Sequence, residues 1–183
     1  MLKITIPERE WFNNETGEFV TIPSQTLCFE HSLYAMSKWE SKWKKAFLAN
    51  DDKHQKTQEE LLDYIRCMCL DEEVDPLVIQ SLSRENFEKI TEYMNDSMTA
   101  TWFREDPNHR PSKEVVTTEL VYYWLSAAQI PFETQYWHFN RLMTLIRVAS
   151  IKSQPPKKMS KQDVLRQNQA ANRARRKPHK PHT

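Results

Sequence analysis

Glycine is what this sequence most conspicuously lacks: Gly17 is the only one in 183 residues. Glycine supplies the positive backbone dihedrals of tight turns and lets a backbone approach a phosphate closely. A chain with one glycine holds neither a dinucleotide-binding fingerprint nor a P-loop, because both need several glycines at fixed spacing. It is also poorly supplied with the turns of a many-stranded β fold. Helices are the expectation. Long apolar runs are missing too, and no stretch approaches the roughly 18 apolar residues of a membrane-spanning helix, so no membrane contact is expected. The opening MLKITIPERE has no apolar h-region, and the cysteines, Cys28, Cys67 and Cys69, are odd in number. The absence of a secretory signal and of a disulfide framework points to the reduced cytoplasm.

What is present divides by charge. The net charge of +1 is an average over two unlike parts. Residues 152–183 carry ten Lys/Arg against one acid, Asp163, giving +9, and the rest carries 16 Lys/Arg against 24 Asp/Glu, giving −8. An acidic body with a basic tail is a statement about partners rather than about fold. The length suits one ordinary domain plus an appendage, and a hydrophobic share of 39% lets such a domain bury a core without disulfides or metal.

Along the chain, LKITIP (2–7) and EFVTI (18–22) alternate with period 2, and NNETG (13–17) supplies turn chemistry between them. These predict one short N-terminal β-hairpin within residues 1–25. From Phe29 the spacing becomes helical through Leu33, Met36, Trp39 or Glu40, Trp43 and Phe47. After the polar stretch ANDDKHQ (49–55), Thr57 and Glu60 form a capping box for a helix whose stripe is Leu61, Leu62, Ile65 and Met68. Asp75-Pro76 reads as an N-cap with proline at the first helical position. Ser83 caps a further helix that turns Phe87, Ile90 and Met94 inward. EDPNHRP (105–111) is a loop, and Ser112 caps a helix to about Gln129 with Val116, Leu120, Tyr123 or Trp124, and Ala127 on its buried side. Pro131 starts the last and most apolar helix, FETQYWHFNRLMTLIRVASI, which is expected at the centre with Phe132, Tyr136, Phe139, Met143 and Ile146 inward. The predicted fold is mainly α, with a compact helical body over residues 26–152. A linker and basic tail, partly helical or disordered, follow over 153–183. SQPPKKMS (153–160) is the linker, and Ser160 with Asp163 resembles a capping box for the tail helix.

No constellation of residues builds a catalytic, cofactor or metal site. Cys67 and Cys69 point about 200° apart on a helix and cannot share an ion, so they read as buried structural cysteines. His138 has no nucleophile or orienting carboxylate near it in sequence and reads as a polar-face or interface histidine. Glu30-His31-Ser32 are neighbours, whereas a triad converges from separate segments, so they read as helix N-terminal chemistry. Asp71-Glu72-Glu73 reads as a solvated turn.

Aromatics and cations carry the interaction reading instead. Six tryptophans exceed the needs of a small helical core, and tryptophan is a leading interface anchor. Trp39, Trp43 and Trp137, with Arg141, are the candidate partner contacts on the body. Lys157, Lys158, Arg173, Arg175 and Arg176 are those on the tail. The tail cations suit nucleic-acid phosphates or an acidic protein surface, including the body of a second copy.

Two stretches taken together, HSLYAMSKWESKWKKAFL (31–48) continuing into TQEELLDYIRCMC, and residues 117–177 from TTELVYYWLSAAQIPFE onward, resemble the tail assembly chaperones of tailed bacteriophages. The resemblance implies a non-enzymatic helper in the host cytoplasm that coats the tape-measure protein, recruits tail-tube subunits and is not expected in the mature virion. It carries over no catalytic residue. A permanent neck or connector component of the virion, and a nucleic-acid-binding accessory protein acting through the tail, are the alternative readings.

The tail offers almost no apolar surface to a core. Deleting residues 155–183 is therefore expected to leave the thermal midpoint of the body nearly unchanged, and a large drop in a calorimetric scan would show that the tail packs on the body.

Overall fold

Two prolines decide how the N-terminal ribbon is built. In the computed structural model, which describes residues 1–14, 16–49, 55–71, 74–103, 114–154 and 161–175, four strands form two antiparallel pairs. Strand β1 (Leu2–Ile6) pairs with β4 (Gln25–Phe29), and β2 (Arg9–Asn13) pairs with β3 (Glu18–Ile22). Ile6 faces Gln25 and Arg9 faces Ile22, so both pairs share one register across an interruption. That register sets Pro7 and Glu8 against Ser24 and Pro23, and a proline has no N–H to give a ladder. The expectation of one short hairpin is thereby corrected: Leu2–Ile6 pairs with Gln25–Phe29, not with Glu18–Ile22. At the tip Gly17 takes φ +72°, the conformation that favours glycine.

The base of the ribbon belongs to the core, with Ile4, Ile6, Ile22, Leu27 and Phe29 buried. Phe29 ends β4 rather than opening a helix. Its strand is continued sideways by the chain that follows α2 (Gln58–Met68). Glu30 N–H donates to the Met68 carbonyl at 2.9 Å, Leu70 N–H to the Cys28 carbonyl at 2.8 Å, and Cys28 N–H to the Asp71 carboxylate at 2.6 Å.

The remaining elements are helical, and the protein is mainly α. They are α1 (Leu33–Trp43), α3 (Pro76–Gln80), α4 (Arg84–Asn95), α5 (Thr118–Ala127), a 3-10 helix (Phe132–Tyr136), α6 (Phe139–Ser153) and α7 (Lys161–Arg175). Their starts follow local capping chemistry. Ser32 accepts from Ala35 N–H, Thr57 and Glu60 close a capping box, Asp75 accepts from Leu77 N–H, and Ser83 from Asn86 N–H. Helix α5 begins later than expected, at Thr118, with Thr117 as its cap. Ser112 and the loop EDPNHRP lie outside the described residues, as do Asn50–His54 of the polar stretch, Pro155–Ser160 of the linker, and Glu72 with Glu73.

Leu33, Met36 and Trp39 of α1, Ile65 and Met68 of α2 and Ile90 of α4 are buried as expected, whereas other positions are shifted. Helix α2 turns Tyr64, Ile65 and Met68 inward together with Glu60, and leaves Leu61 46% exposed. The Trp39 indole N–H donates to the Glu60 carbonyl at 2.7 Å, which fixes that face against α1. Helix α5 buries Thr118, Val121 and Leu125, and exposes Tyr123 and Ala127. The last helix is broken at Trp137-His138, where Trp137 N–H turns back to the Thr134 carbonyl at 3.0 Å and Phe139 N–H donates to the His31 carbonyl at 2.7 Å. Phe132 and Tyr136 are exposed, α6 buries only Phe139 and Leu142 among the described side chains, and Met143 and Ile146 are half-buried. The central helix is therefore α1, which packs against α2, α5 and the 3-10 helix. Its buried Glu40 carboxylate accepts from Phe47 N–H at 2.7 Å, Thr118 N–H at 2.9 Å and the Thr118 hydroxyl at 2.5 Å.

Residues 1–150 and 151–183 make two units. The second holds the end of α6 and all of α7, whose described side chains, Leu165, Arg166 and Arg173 among them, are exposed. Among the described residues no helix is long and apolar enough to cross a membrane.

Scarce glycine leaves its mark at helix ends. Lys44 closes α1 at φ 54°, its N–H bonded to the Glu40 carbonyl at 2.8 Å, in a region that costs a residue with a Cβ roughly 1 kcal/mol. Lys44→Gly is expected to raise the unfolding free energy by about 0.5–1 kcal/mol in a denaturant titration; a lowered midpoint would show that the lysine side chain outweighs its backbone strain.

Candidate interaction surface

The tryptophans divide into internal and external ones. Trp39 is fully buried, its indole N–H satisfied inside the fold, so it is a core residue with no surface to offer a partner. Trp43 is half-buried 6.5 Å from the Trp39 ring, donates to the Asp63 carboxylate at 2.8 Å and lies under Lys42. Trp137 is 38% exposed, and the Arg141 guanidinium stacks over its ring at 4.4 Å. Trp11 and Trp124 are half-buried, whereas Trp102 is 82% exposed. On the tail, Arg173 is exposed on α7 and Arg175 ends that helix. Lys157, Lys158 and Arg176 lie outside the described residues. Of the candidate set, the structure brings together Trp39 with Trp43 and Trp137 with Arg141.

The exposed aromatic feature was not apparent from spacing. Tyr34 and Tyr136 meet with ring centroids 5.1 Å apart, and Tyr122 meets Phe132 at 6.1 Å. Tyr34, Phe132 and Tyr136 are exposed. The Tyr122 hydroxyl donates to Gln135 at 2.8 Å, which steadies the 3-10 helix on α5. The four rings form a ledge where α1, α5 and the 3-10 helix meet. The one signal available was the phase of α1: Tyr34 lies off the Leu33–Met36 stripe and so faces outward.

Below the ledge runs an open groove of about 1130 Å3 between α1, α2 and the chain following α2. Tyr34 and Tyr136 form its wall, Cys67 and Leu70 contribute apolar floor, and Lys38 and Arg66 stand on the two helices. Burial raises the pKa of both Cys67 and Cys69, which disfavours the nucleophilic thiolate.

Behind the groove the residues of Glu30-His31-Ser32 diverge to separate partners. Glu30 accepts from the Tyr93 hydroxyl at 2.6 Å, His31 Nδ1 lies 2.7 Å from the Tyr64 hydroxyl, and Ser32 caps α1. His138 is buried rather than on a polar face, 5.3 Å from the His31 ring. Its Nε2 lies 3.0 Å from the Tyr93 carbonyl, which can only accept, so Nε2 carries the proton and Nδ1 is buried without a partner. These contacts link β4, α2, α4 and α6 through aromatic and imidazole rings, and no nucleophile–base pair arises among them.

No family model, curated protein or solved structure matches the chain.

The buried His31 makes stability depend on pH. Burial first, and His138 second, pull the His31 pKa from 6.5 down to about 3. Below pH 6.5 the unfolded chain takes up a proton that the folded chain, with Tyr64, His138 and Phe139 packed on the ring, refuses. The contribution is thus complete above about pH 6.5 and falls by at most ~1.4 kcal/mol per pH unit as pH drops toward 3. Chemical denaturation between pH 5 and 6.5, above the ordinary carboxylate range, should show this slope, and His31→Gln should flatten it. An equal slope in the variant would assign the effect elsewhere.

Proposed function

We propose that this chain is a non-enzymatic tail assembly chaperone of a tailed bacteriophage. It covers the tape-measure protein and helps recruit tail-tube subunits in the host cytoplasm, and leaves before the virion matures. The observation that carries the reading is the exposed aromatic ledge of Tyr34, Phe132 and Tyr136, with Trp137 and Arg141 beyond them in sequence. Such rings are the residues that seat amphipathic helices in apolar grooves. The resemblance of residues 31–48 and 117–177 to that chaperone family supports the same reading. So does the charge division, since ten cations on residues 152–183 supply a second, electrostatic contact, weakened by salt, to an assembling subunit.

The physical task is consistent with many weak contacts. A long amphipathic polypeptide exposes apolar surface that aggregates before a tube closes around it. A helper that must depart binds modestly at each site and acts in many copies along one chain. Co-expression with a long, helix-rich tape-measure polypeptide is the test. The polypeptide is expected to stay soluble and co-purify only when this protein is present. Equal solubility with and without it, and no co-purification, would overturn the reading. Stoichiometric presence in purified particles would replace it with a virion component, and a steep salt dependence of DNA binding without tape-measure binding would replace it with a nucleic-acid accessory.

A further inference from the structure

We infer that the groove between α1 and α2 takes an acidic amphipathic helix of the partner polypeptide, with apolar side chains against Tyr34, Tyr136 and Leu70 and flanking carboxylates on Lys38 and Arg66. This rests on the chaperone reading, because it specifies the segment that the partner presents.

Charge decides the occupant. Every acid lining the groove already has an internal partner. Asp63 accepts from Lys42 at 2.5 Å and from the Trp43 indole at 2.8 Å, Asp71 from Cys28 N–H at 2.6 Å, and Glu30 from the Tyr93 hydroxyl at 2.6 Å. Among the described residues, Lys38 and Arg66 have no carboxylate partner. Lys38 instead lies over the Tyr34 ring at 5.6 Å. Lys38, Lys42 and Arg66, from the two facing helices, all act on the Cys67 thiol, together with the Asp63 carboxylate that pairs with Lys42. Lys38, Lys42, Arg66 and the N-terminal amine outnumber the three lining carboxylates, of which Asp71 has only an amide partner, so the groove presents a small net positive charge beside an apolar strip.

Size and shape narrow the class. About 1130 Å3 exceeds the range of roughly 300–1,000 Å3 common for small-molecule sites, and a groove open to solvent suits a helix that lays one face into it. The chain's own tail is a poor occupant, since ten cations on residues 152–183 carry the same sign as Lys38 and Arg66. A nucleic-acid backbone is disfavoured as well, because phosphates would lie against Leu70 and near three carboxylates. Leu70 is exposed on the floor, which gives a variant that can be made without opening the core.

The test uses the full chain and two fluorescent peptides of about 20 residues, enough for roughly 30 Å of helix. Both share one leucine stripe, flanked by glutamates in one peptide and by lysines in the other. Anisotropy titrations should show the glutamate peptide binding about ten-fold or more tightly, with the preference shrinking in salt. The double variant Lys38→Glu/Arg66→Glu should reverse the preference, and Leu70→Asp should weaken both peptides, with unchanged thermal melts confirming folded protein. No preference in the parent chain, or one that survives the double variant, would overturn the inference. So would sedimentation showing a dimer that the double variant dissolves, since the groove would then hold a second copy. Co-expression separates the two readings. If the double variant loses the peptide preference yet keeps the tape-measure polypeptide soluble, the groove assignment fails and the chaperone reading stands. If the preference holds but the parent chain neither solubilises nor co-purifies with that polypeptide, the chaperone reading fails and the groove still selects acidic helices.

Discussion

The Glu40 carboxylate is the constraint on which the body's architecture turns. It sits at 8% exposure near the end of the central helix, and a buried carboxylate is tolerated only when its oxygens are fully hydrogen-bonded. One oxygen takes Phe47 N–H, just beyond the turn that ends α1, and the other takes the amide and hydroxyl of Thr118 at the first turn of α5. The first amides of a helix have no partners within it, and negative charge there is favoured by the backbone dipole. Glu40 thus satisfies α5, ties it to α1 across 78 positions of sequence, and holds Phe47 against Trp39 and Tyr64 with ring centroids 5.2 and 4.0 Å away. With α5 fixed in this way, the 3-10 helix that follows it is brought back over the start of α1. The aromatic ledge is a consequence of that return.

Helix α1 has two faces with different obligations. Leu33, Ala35, Met36, Trp39 and Glu40 face the core, so Tyr34, Lys38 and Ser41 are left on the side that borders the groove. The break at Trp137-His138 matters equally. A continuous helix from Pro131 would carry Phe132 and Tyr136 along the same stripe as Phe139 and bury all three. Instead His138 is drawn inward to the Tyr93 carbonyl, the residues before it tighten into a 3-10 turn, and Tyr136 is left beside Tyr34.

What was legible in the sequence follows the range of the physics involved. Local chemistry read correctly: the Thr57–Glu60 capping box, Asp75-Pro76 and Ser83 all mark true helix starts, because a cap depends on four or five neighbouring residues. Strand pairing did not, because Gln25–Phe29 alternates over only five residues and continues directly into a helical spacing that absorbs Phe29. The two ladder-breaking prolines, Pro7 and Pro23, are symmetrically placed about the turn and were the available signal. Burial on α2 and α5 shifted because it is decided by distant partners, Trp39 for Glu60 and Glu40 for Thr118. The same limit applies to the candidate surface. Tryptophan content suggested an interface, yet Trp39 is consumed by the core, while Tyr34, given no role, and Phe132 and Tyr136, expected inward, make the exposed ledge.

The proposed function asks the surface to combine rigidity with modest area, and the ledge has rigid supports. Tyr136 ends a single 3-10 turn whose Thr134 is buried and hydrogen-bonded to the Pro131 carbonyl at 2.7 Å. Tyr122 is braced by Gln135, and Tyr34 stands one residue into a capped helix. Rings on such short, anchored supports lose little freedom on contact, so each contributes binding without a large ordering cost. Their number stays small, which keeps any one contact weak. Selectivity then has to come from elsewhere, and Lys38 and Arg66 beside the apolar floor are placed to supply it. Electrostatic complementarity sets partner choice and encounter rate more than it deepens affinity, which suits the reversible helix binding proposed above.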